Sequence, residues 1–168
     1  MLIYNEKYKF GITWNVCIVT EDWIYGSINF IIGEEIFPKK FDTHFTLGVV
    51  FGNLRASFEK KYYDVEGTDN VELGDRKVDN HKLDSGEESN IFSIETTELG
   101  NKFGNDCSAN CLRLSMGYSG DEERLFYSDD FGESYVEIRM PKGTVEDVIM
   151  RLPIENDEII SHKDSLII

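Results

Sequence analysis

Apolar and polar residues alternate strictly near the start of the chain. In the stretch YKFGITWNVCIV every second position is apolar, namely Tyr8, Phe10, Ile12, Trp14, Val16 and Ile18. An alternation of this length is typical of a β-strand that buries one of its faces. The pattern therefore predicts a long strand with these six side chains on its buried face.

A β-hairpin is predicted directly after this strand. A second alternation in SINFII (residues 27–32) leads into the turn GEE (33–35) and then into Ile36-Phe37. Two apolar runs around a short glycine-containing turn favour a hairpin. Pro38 has no backbone N–H for a ladder hydrogen bond, so we expect it to end the second strand or to lie on an edge. The stretch from Trp23 to Phe41 holds no His, Cys or Asp, and we interpret this hairpin as scaffold.

Helical spacing appears in FTLGVVFGNLRASFEKK. The apolar residues with this spacing are Leu47, Val50, Phe51, Leu54 and Phe58. Lys60-Lys61 suits the negative end of a helix dipole. Gly48 and Gly52 weaken the helix, and the Val-Val-Phe run leaves a strand as the alternative.

The second half of the chain starts with a polar region at about 64–90, where nine acidic residues stand against three basic ones. We predict a solvated excursion there, with a loop around one short strand as the alternative. Alternation returns in NIFSIETTE and in NCLRLSMGY, and ERLFYSDDFGESYVEIRM predicts a second hairpin. Thr144 to Asp147 matches a capping box that opens a short helix. The inner face of this helix is predicted to hold Val145, Val148, Ile149 and Leu152.

These elements predict an α+β fold. We expect residues 1–168 to form one domain, with a mostly antiparallel sheet of about five to seven strands and about two helices packed on one face. The hydrophobic share of 40% is ordinary for a folded protein.

Charge narrows the class of partner. Seventeen basic residues against thirty-two acidic ones give a formal charge of −15. Such a surface repels nucleic acid and anionic membranes and attracts a basic protein. Solubility alone is an equally good explanation of the charge. The N-terminus lacks a secretory pattern, no apolar run is long enough to span a membrane, and the three cysteines are few and odd in number, so we expect a cytoplasmic protein.

Candidate chemistry in the sequence is sparse. The stretch DVEGTDNVELGD has Asp69 and Asp75 where a calcium loop needs glycine and glutamate. Cys107 and Cys111 lack a second ligand pair for zinc, and Cys17 has no partner that the sequence identifies among three histidines. The adjacent carboxylate pairs include Glu122-Glu123 and Asp129-Asp130, but neighbouring strand residues point to opposite faces. We therefore expect no enzyme, no metal and no cofactor, with a carboxylate-dependent hydrolase as a remote alternative.

Four stretches in order carry a family resemblance: NEKYKFGITW, WIYGSINFIIGEEIFP, FDTHFTLGVVFGNL and VEIRMPKGTVEDVI. They resemble the immunity protein 42 family of bacterial polymorphic-toxin and contact-dependent growth inhibition systems. The resemblance implies a cytoplasmic protein that binds and neutralises a cognate toxin domain and has no catalytic residues. An acidic protein suits a nuclease toxin, because it can occlude a basic substrate groove. The alternative is an acidic accessory module that binds a basic host protein without any toxin.

The toxin contacts are predicted in the acidic stretch 121–133, where six acidic residues accompany Arg124 alone. Turns anchored by strands are pre-organised and lose less affinity to ordering than a long loop such as 64–88. The predicted contacts are Asp121, Glu122, Tyr127, Asp129, Asp130, Phe131 and Glu133, with the two aromatic residues as anchors. Ordinary solvated turn residues are the alternative. We expect a monomer that forms a one-to-one complex with the toxin.

Overall fold

The computed structural model describes residues 1–39, 45–59, 72–85, 87–95 and 112–167. Within these residues the strands are Leu2–Asn5 (β1), Phe10–Val19 (β2), Ile24–Ile32 (β3), Glu35–Phe37 (β4), Phe45–Thr46 (β5), Phe92–Ser93 (β6), Arg113–Ser119 (β7), Glu122–Ser128 (β8), Val136–Pro141 (β9) and Ser165–Ile167 (β10). The helices are Leu47–Glu59 (α1), Asn80–Ser85 (α2), Thr144–Met150 (α3) and Asn156–Ser161 (α4). None of them is long and apolar enough to cross a membrane.

The first sheet has the strand order β10-β1-β2-β3-β4, with β5 also paired to β3. All its pairs are antiparallel except β1 with β10. The register sets Trp14 opposite Ile28, and both side chains are buried on the face that α1, α3 and α4 cover. The Trp14 ring lies 5.2 Å from that of Phe51 in α1, and its indole N–H donates to the carbonyl of Ile159 in α4 at 3.3 Å.

The predicted hairpin is the β3–β4 pair. Ile32 pairs with Glu35, so the turn consists of Gly33 and Glu34. Gly33 has φ of 66°, a conformation that glycine adopts without a Cβ clash. Pro38 follows β4 directly, as predicted.

A β-bulge near the end of β2 corrects one part of the first prediction. The register shifts between Val16 and Ile18, so Cys17 is an extra residue. Because side chains alternate with period two, one extra residue moves all later ones to the opposite face. Ile18 therefore pairs with Tyr25 on the outer face, and it is 52% exposed rather than buried.

The second sheet has the order β6-β7-β8-β9 and is antiparallel throughout. Its β8–β9 pair is the predicted second hairpin. Met116 and Leu125 are opposite each other on its inner face and belong to the same buried cluster as Trp14 and Phe51. The α+β class and the mostly antiparallel pairing are confirmed. The described part has two sheets rather than one, and four helices rather than about two. The two additional helices, α2 and α4, are too short to show a helical period in the sequence.

Part of the polar region predicted at about 64–90 packs on the second sheet. Residues 64–71 and 86 lie outside the described ranges. In the described part, Leu73, Val78 and Leu83 form a small second core with Phe126 of β8. Three isolated apolar residues five positions apart match neither a helical nor a strand period, so the sequence pattern did not reveal this packing.

The start of α3 is capped from another element rather than by the predicted capping box. The Thr144 hydroxyl donates to the carbonyl of Pro141 at 2.7 Å. The carboxylate of Glu123, a buried residue of β8, accepts hydrogen bonds from the backbone N–H of Gly143 at 3.0 Å and of Val145 at 2.6 Å. Three residues of the predicted inner face of α3, Val145, Val148 and Ile149, are fully buried, and the fourth, Leu152, is buried just beyond the end of the helix.

Candidate functional site

The seven residues predicted to contact a partner lie at both ends of β8. Asp121 and Glu122 are at its start, at the turn that follows β7. The other five, Tyr127, Asp129, Asp130, Phe131 and Glu133, lie at its far end or in the following turn. A strand rises about 3.3 Å per residue, so the two groups are about 20 Å apart. The structure therefore divides the predicted residues into two clusters.

Asp130 organises the β8–β9 turn. Its carboxylate accepts hydrogen bonds from the Ser128 hydroxyl at 2.6 Å, from the backbone N–H of Ser134 at 2.9 Å and from the Ser134 hydroxyl. These bonds lower the pKa of Asp130 to about 2. The carboxylate of Asp130 therefore stabilises the conformation of the turn. The turn exposes Phe131, at 45%, and Glu133 to solvent.

Lys39 joins this turn to the first sheet. Its ammonium lies 3.2 Å from the carboxylate of Asp129 and 3.1 Å from that of Glu35. Hydrogen bonds to Glu35 and Asp129 raise the pKa of Lys39. Beneath this bridge the rings of Phe37 and Tyr127 are 5.2 Å apart.

We call the exposed surface around this bridge the turn surface, formed by Glu35, Asp129, Phe131 and Glu133. It combines three carboxylates with one apolar side chain that is nearly half exposed, Phe131. Tyr127 is half-buried below it, and burial raises the pKa of its hydroxyl. Tyr127 therefore supports the surface from within.

The other end of β8 carries a charge network around Arg139. Its guanidinium lies 2.6 Å from Asp75, 3.3 Å from Glu122 and 3.0 Å from Glu137. The hydrogen bond from Arg139 lowers the pKa of Asp75. Glu122 is thus partly neutralised, whereas Asp121 is exposed at the adjoining turn.

Metal-ligating and nucleophilic residues do not converge in the described part of the chain. No group of three His, Cys, Asp or Glu side chains there has the geometry to hold a metal. Cys107, Cys111 and His44 lie outside the described ranges, as does most of the calcium-like stretch. The described acids of that stretch have partners, since Glu72 accepts from the backbone N–H of Gly120 at 2.8 Å and Asp75 binds Arg139.

Exposed apolar residues on the first sheet were missed by sequence reasoning. Ile18, Ile36 and Leu166 all point away from the helices and are about half exposed or more. The signal in the sequence was a run of consecutive apolar residues where strict alternation would place a polar one, as in VCIV (16–19) and in Ile36-Phe37. Such runs place one apolar side chain on each face of a strand.

Comparison with known proteins identifies one relationship. A family model described as immunity protein 42 matches residues 1–155. Neither the curated proteins nor the solved structures contain a match to the chain.

Proposed function

The chain belongs to the immunity protein 42 family, and from this premise we propose that it binds and neutralises the toxin domain of a bacterial contact-dependent growth inhibition system. The observation that carries the proposal is the family match over residues 1–155. The protein acts in the cytoplasm as a monomer that forms a one-to-one complex. It inhibits by covering the active site or substrate groove of the toxin, without any turnover of its own.

Electrostatics supports a nuclease as the toxin. An enzyme that cuts nucleic acid needs a basic groove for its substrate, and a protein of formal charge −15 is attracted to such a groove over long distances. Steering of this kind raises the rate of association and disfavours partners of the wrong charge.

The turn surface supplies the first contacts in this proposal. Asp129 and Glu133 meet basic groups of the toxin, and Phe131 provides an aromatic anchor between them. Asp130 and Tyr127 hold the turn in shape. Asp121 and Glu122 lie about 20 Å away, a distance that an interface of about 800 Å² per partner can still span.

Charge reversal at the turn surface tests the proposal. The variant Asp129→Lys/Glu133→Lys is compared with Glu59→Lys/Asp157→Lys, which changes the formal charge equally on exposed residues of α1 and α4. The probe is the purified product of the gene immediately upstream of the gene for this chain, tested as the candidate toxin. Rates of association and dissociation are measured at low and at physiological salt.

We expect the turn variant to slow association about tenfold at low salt and to reduce its salt dependence, and the control to have a smaller effect on both. Equal effects of the two variants would mean that only net charge matters and would remove the turn surface from the interface. A wild-type protein that fails to bind or inhibit the toxin would refute the function itself. In that case binding of a basic host protein is the alternative.

A further inference from the structure

The outer face of the first sheet, which points away from the helices, is uncharged. The strands β10, β1, β2, β3 and β4 together hold a single charged residue, Glu35. Glu35 pairs with Ile32, which is buried under the helices, so it does not belong to the outer face. By contrast, 29% of the whole chain is charged.

Small polar and aliphatic side chains occupy this outer face. Asn15 is opposite Ser27, and Ile18 is opposite the partly buried ring of Tyr25. Thr13 is opposite Asn29, whose side chain is buried and donates to the carbonyl of Pro38. Exposed aliphatic residues extend over its width, with Ile18 on β2, Ile36 on β4 and Leu166, 59% exposed, on β10. The solvated face of an antiparallel sheet normally carries polar residues, many of them charged. This face lacks the charged ones.

We propose that the outer face is the central contact surface for a basic protein domain, namely the toxin, so this inference rests on the proposed function. The centres of protein interfaces are depleted of charge, and their rims are polar. The face has such a rim, since Glu21 and Asp22 lie at the tip of the β2–β3 hairpin. At the opposite end of the face, Ile36 follows Glu35 of the turn surface along β4. The matching toxin surface is an uncharged, partly apolar patch bordered by Lys or Arg.

Size and charge favour the toxin over a second copy of this chain. The five strands together hold 29 residues, and at about 3.3 Å per residue and about 4.8 Å between strands they give the face an area of about 460 Å². Two such faces packed together would bury about 900 Å², which is less than a specific interface needs, about 1,200 Å² or more. Each copy also carries a charge of −15, which opposes self-association. A basic partner that also contacts the acidic rim meets both requirements.

Charges of both signs at the centre of the face test this inference. Asn15 is exposed on β2, so Asn15→Arg and Asn15→Asp are compatible with the free fold. Ser93→Arg and Ser93→Asp are the matched controls, because Ser93 is an exposed strand residue of the second sheet. Binding of the same candidate toxin is measured by calorimetry, and thermal unfolding checks each variant. If either Asn15 variant fails to fold, Leu166→Lys and Leu166→Asp replace the pair.

Burial of an unpaired charge is unfavourable whatever its sign. We expect both Asn15 variants to raise the Kd about tenfold or more, and both controls to change it less than about threefold. If Asn15→Arg and Asn15→Asp change the Kd in opposite directions, or if neither changes it, the inference is overturned. Binding by the wild type would still support the proposed function in that case. A wild-type dimer that Asn15→Arg dissociates would also overturn it, because a second copy would then occupy the face. No binding by the wild type would refute the proposed function and this inference with it.

Discussion

At the scale of a single residue, Glu123 joins the second sheet to helix α3. Its carboxylate is fully buried and accepts hydrogen bonds from two backbone N–H groups at the start of α3. Burial raises its pKa to about 7, although the hydrogen bonds from Val145 and Gly143 act in the opposite direction. Its neighbour Glu122 points to the other face and is exposed, as expected for adjacent residues of one strand.

Removal of this cap should destabilise the protein. We expect Glu123→Ala to lower the free energy of unfolding by about 2–3 kcal/mol, because two buried N–H donors lose their acceptor. Glu123→Gln should be less destabilising, since its amide oxygen can still accept one bond. Chemical denaturation measures both changes. An alanine variant as stable as the wild type would show that the cap has no energetic role.

The same residue should make stability depend on pH. The pKa of Glu123 is 4.5 in an ordinary environment and about 7 in the folded protein. Between these values the folded state keeps a proton that the unfolded state has released, so the free energy of unfolding falls as pH rises through this window. Denaturation curves from pH 4.5 to 7.5 measure this slope, and Glu123→Gln should lack that part of it. Identical slopes in the two proteins would contradict the pKa assignment.

Arg124 acts at the scale of elements, because it holds the segment 72–79 on the second sheet. Its guanidinium makes a bidentate pair with Glu137, at 2.7 and 2.9 Å, and donates to the carbonyls of Gly74 at 2.6 Å and Arg76 at 3.0 Å. The residue is 98% buried, in contrast to the exposed Arg139 on the same face. Fixed fork geometry makes arginine suited to several simultaneous acceptors.

Loss of this guanidinium should release the segment. We expect Arg124→Gln to cost about 2–4 kcal/mol, because Glu137 loses its bidentate partner and keeps only Arg139, and because two carbonyls lose their donor. Backbone N–H groups in residues 72–85 should then exchange hydrogen faster than those of the first sheet. Arg139→Gln is the control, with a smaller loss of stability because its pairs are solvent-exposed. Equal losses in the two variants would argue against a specific role for Arg124.

Charge dominates at the scale of the whole molecule. With a formal charge of −15, copies of the chain repel one another, whereas a basic domain is attracted. We expect light scattering at low salt to give the mass of a monomer for the free protein and of a one-to-one complex after addition of the toxin domain. A stable homo-oligomer that the toxin leaves unchanged would contradict this prediction.

Sequence alone determined the elements with a clear hydrophobic period and the family of the protein. Period-two and helical patterns located β2, the β3–β4 and β8–β9 hairpins, α1 and α3, because burial of one face imposes a period on any regular element. The order of four stretches indicated the family that the comparison identified. Charge also follows from composition without any structure.

Tertiary structure decided which side chains meet. A one-residue bulge at Cys17 turned Ile18 outward, although Ile18 keeps the two-residue spacing of the buried side chains before it. The cap of α3 comes from Glu123, more than twenty residues earlier in the chain, and the acidic stretch 121–133 is divided because a straight strand separates its ends. Likewise, the uncharged outer face exists only once five strands are aligned in register. These features depend on contacts between distant residues, whereas a sequence pattern records only neighbours along one element.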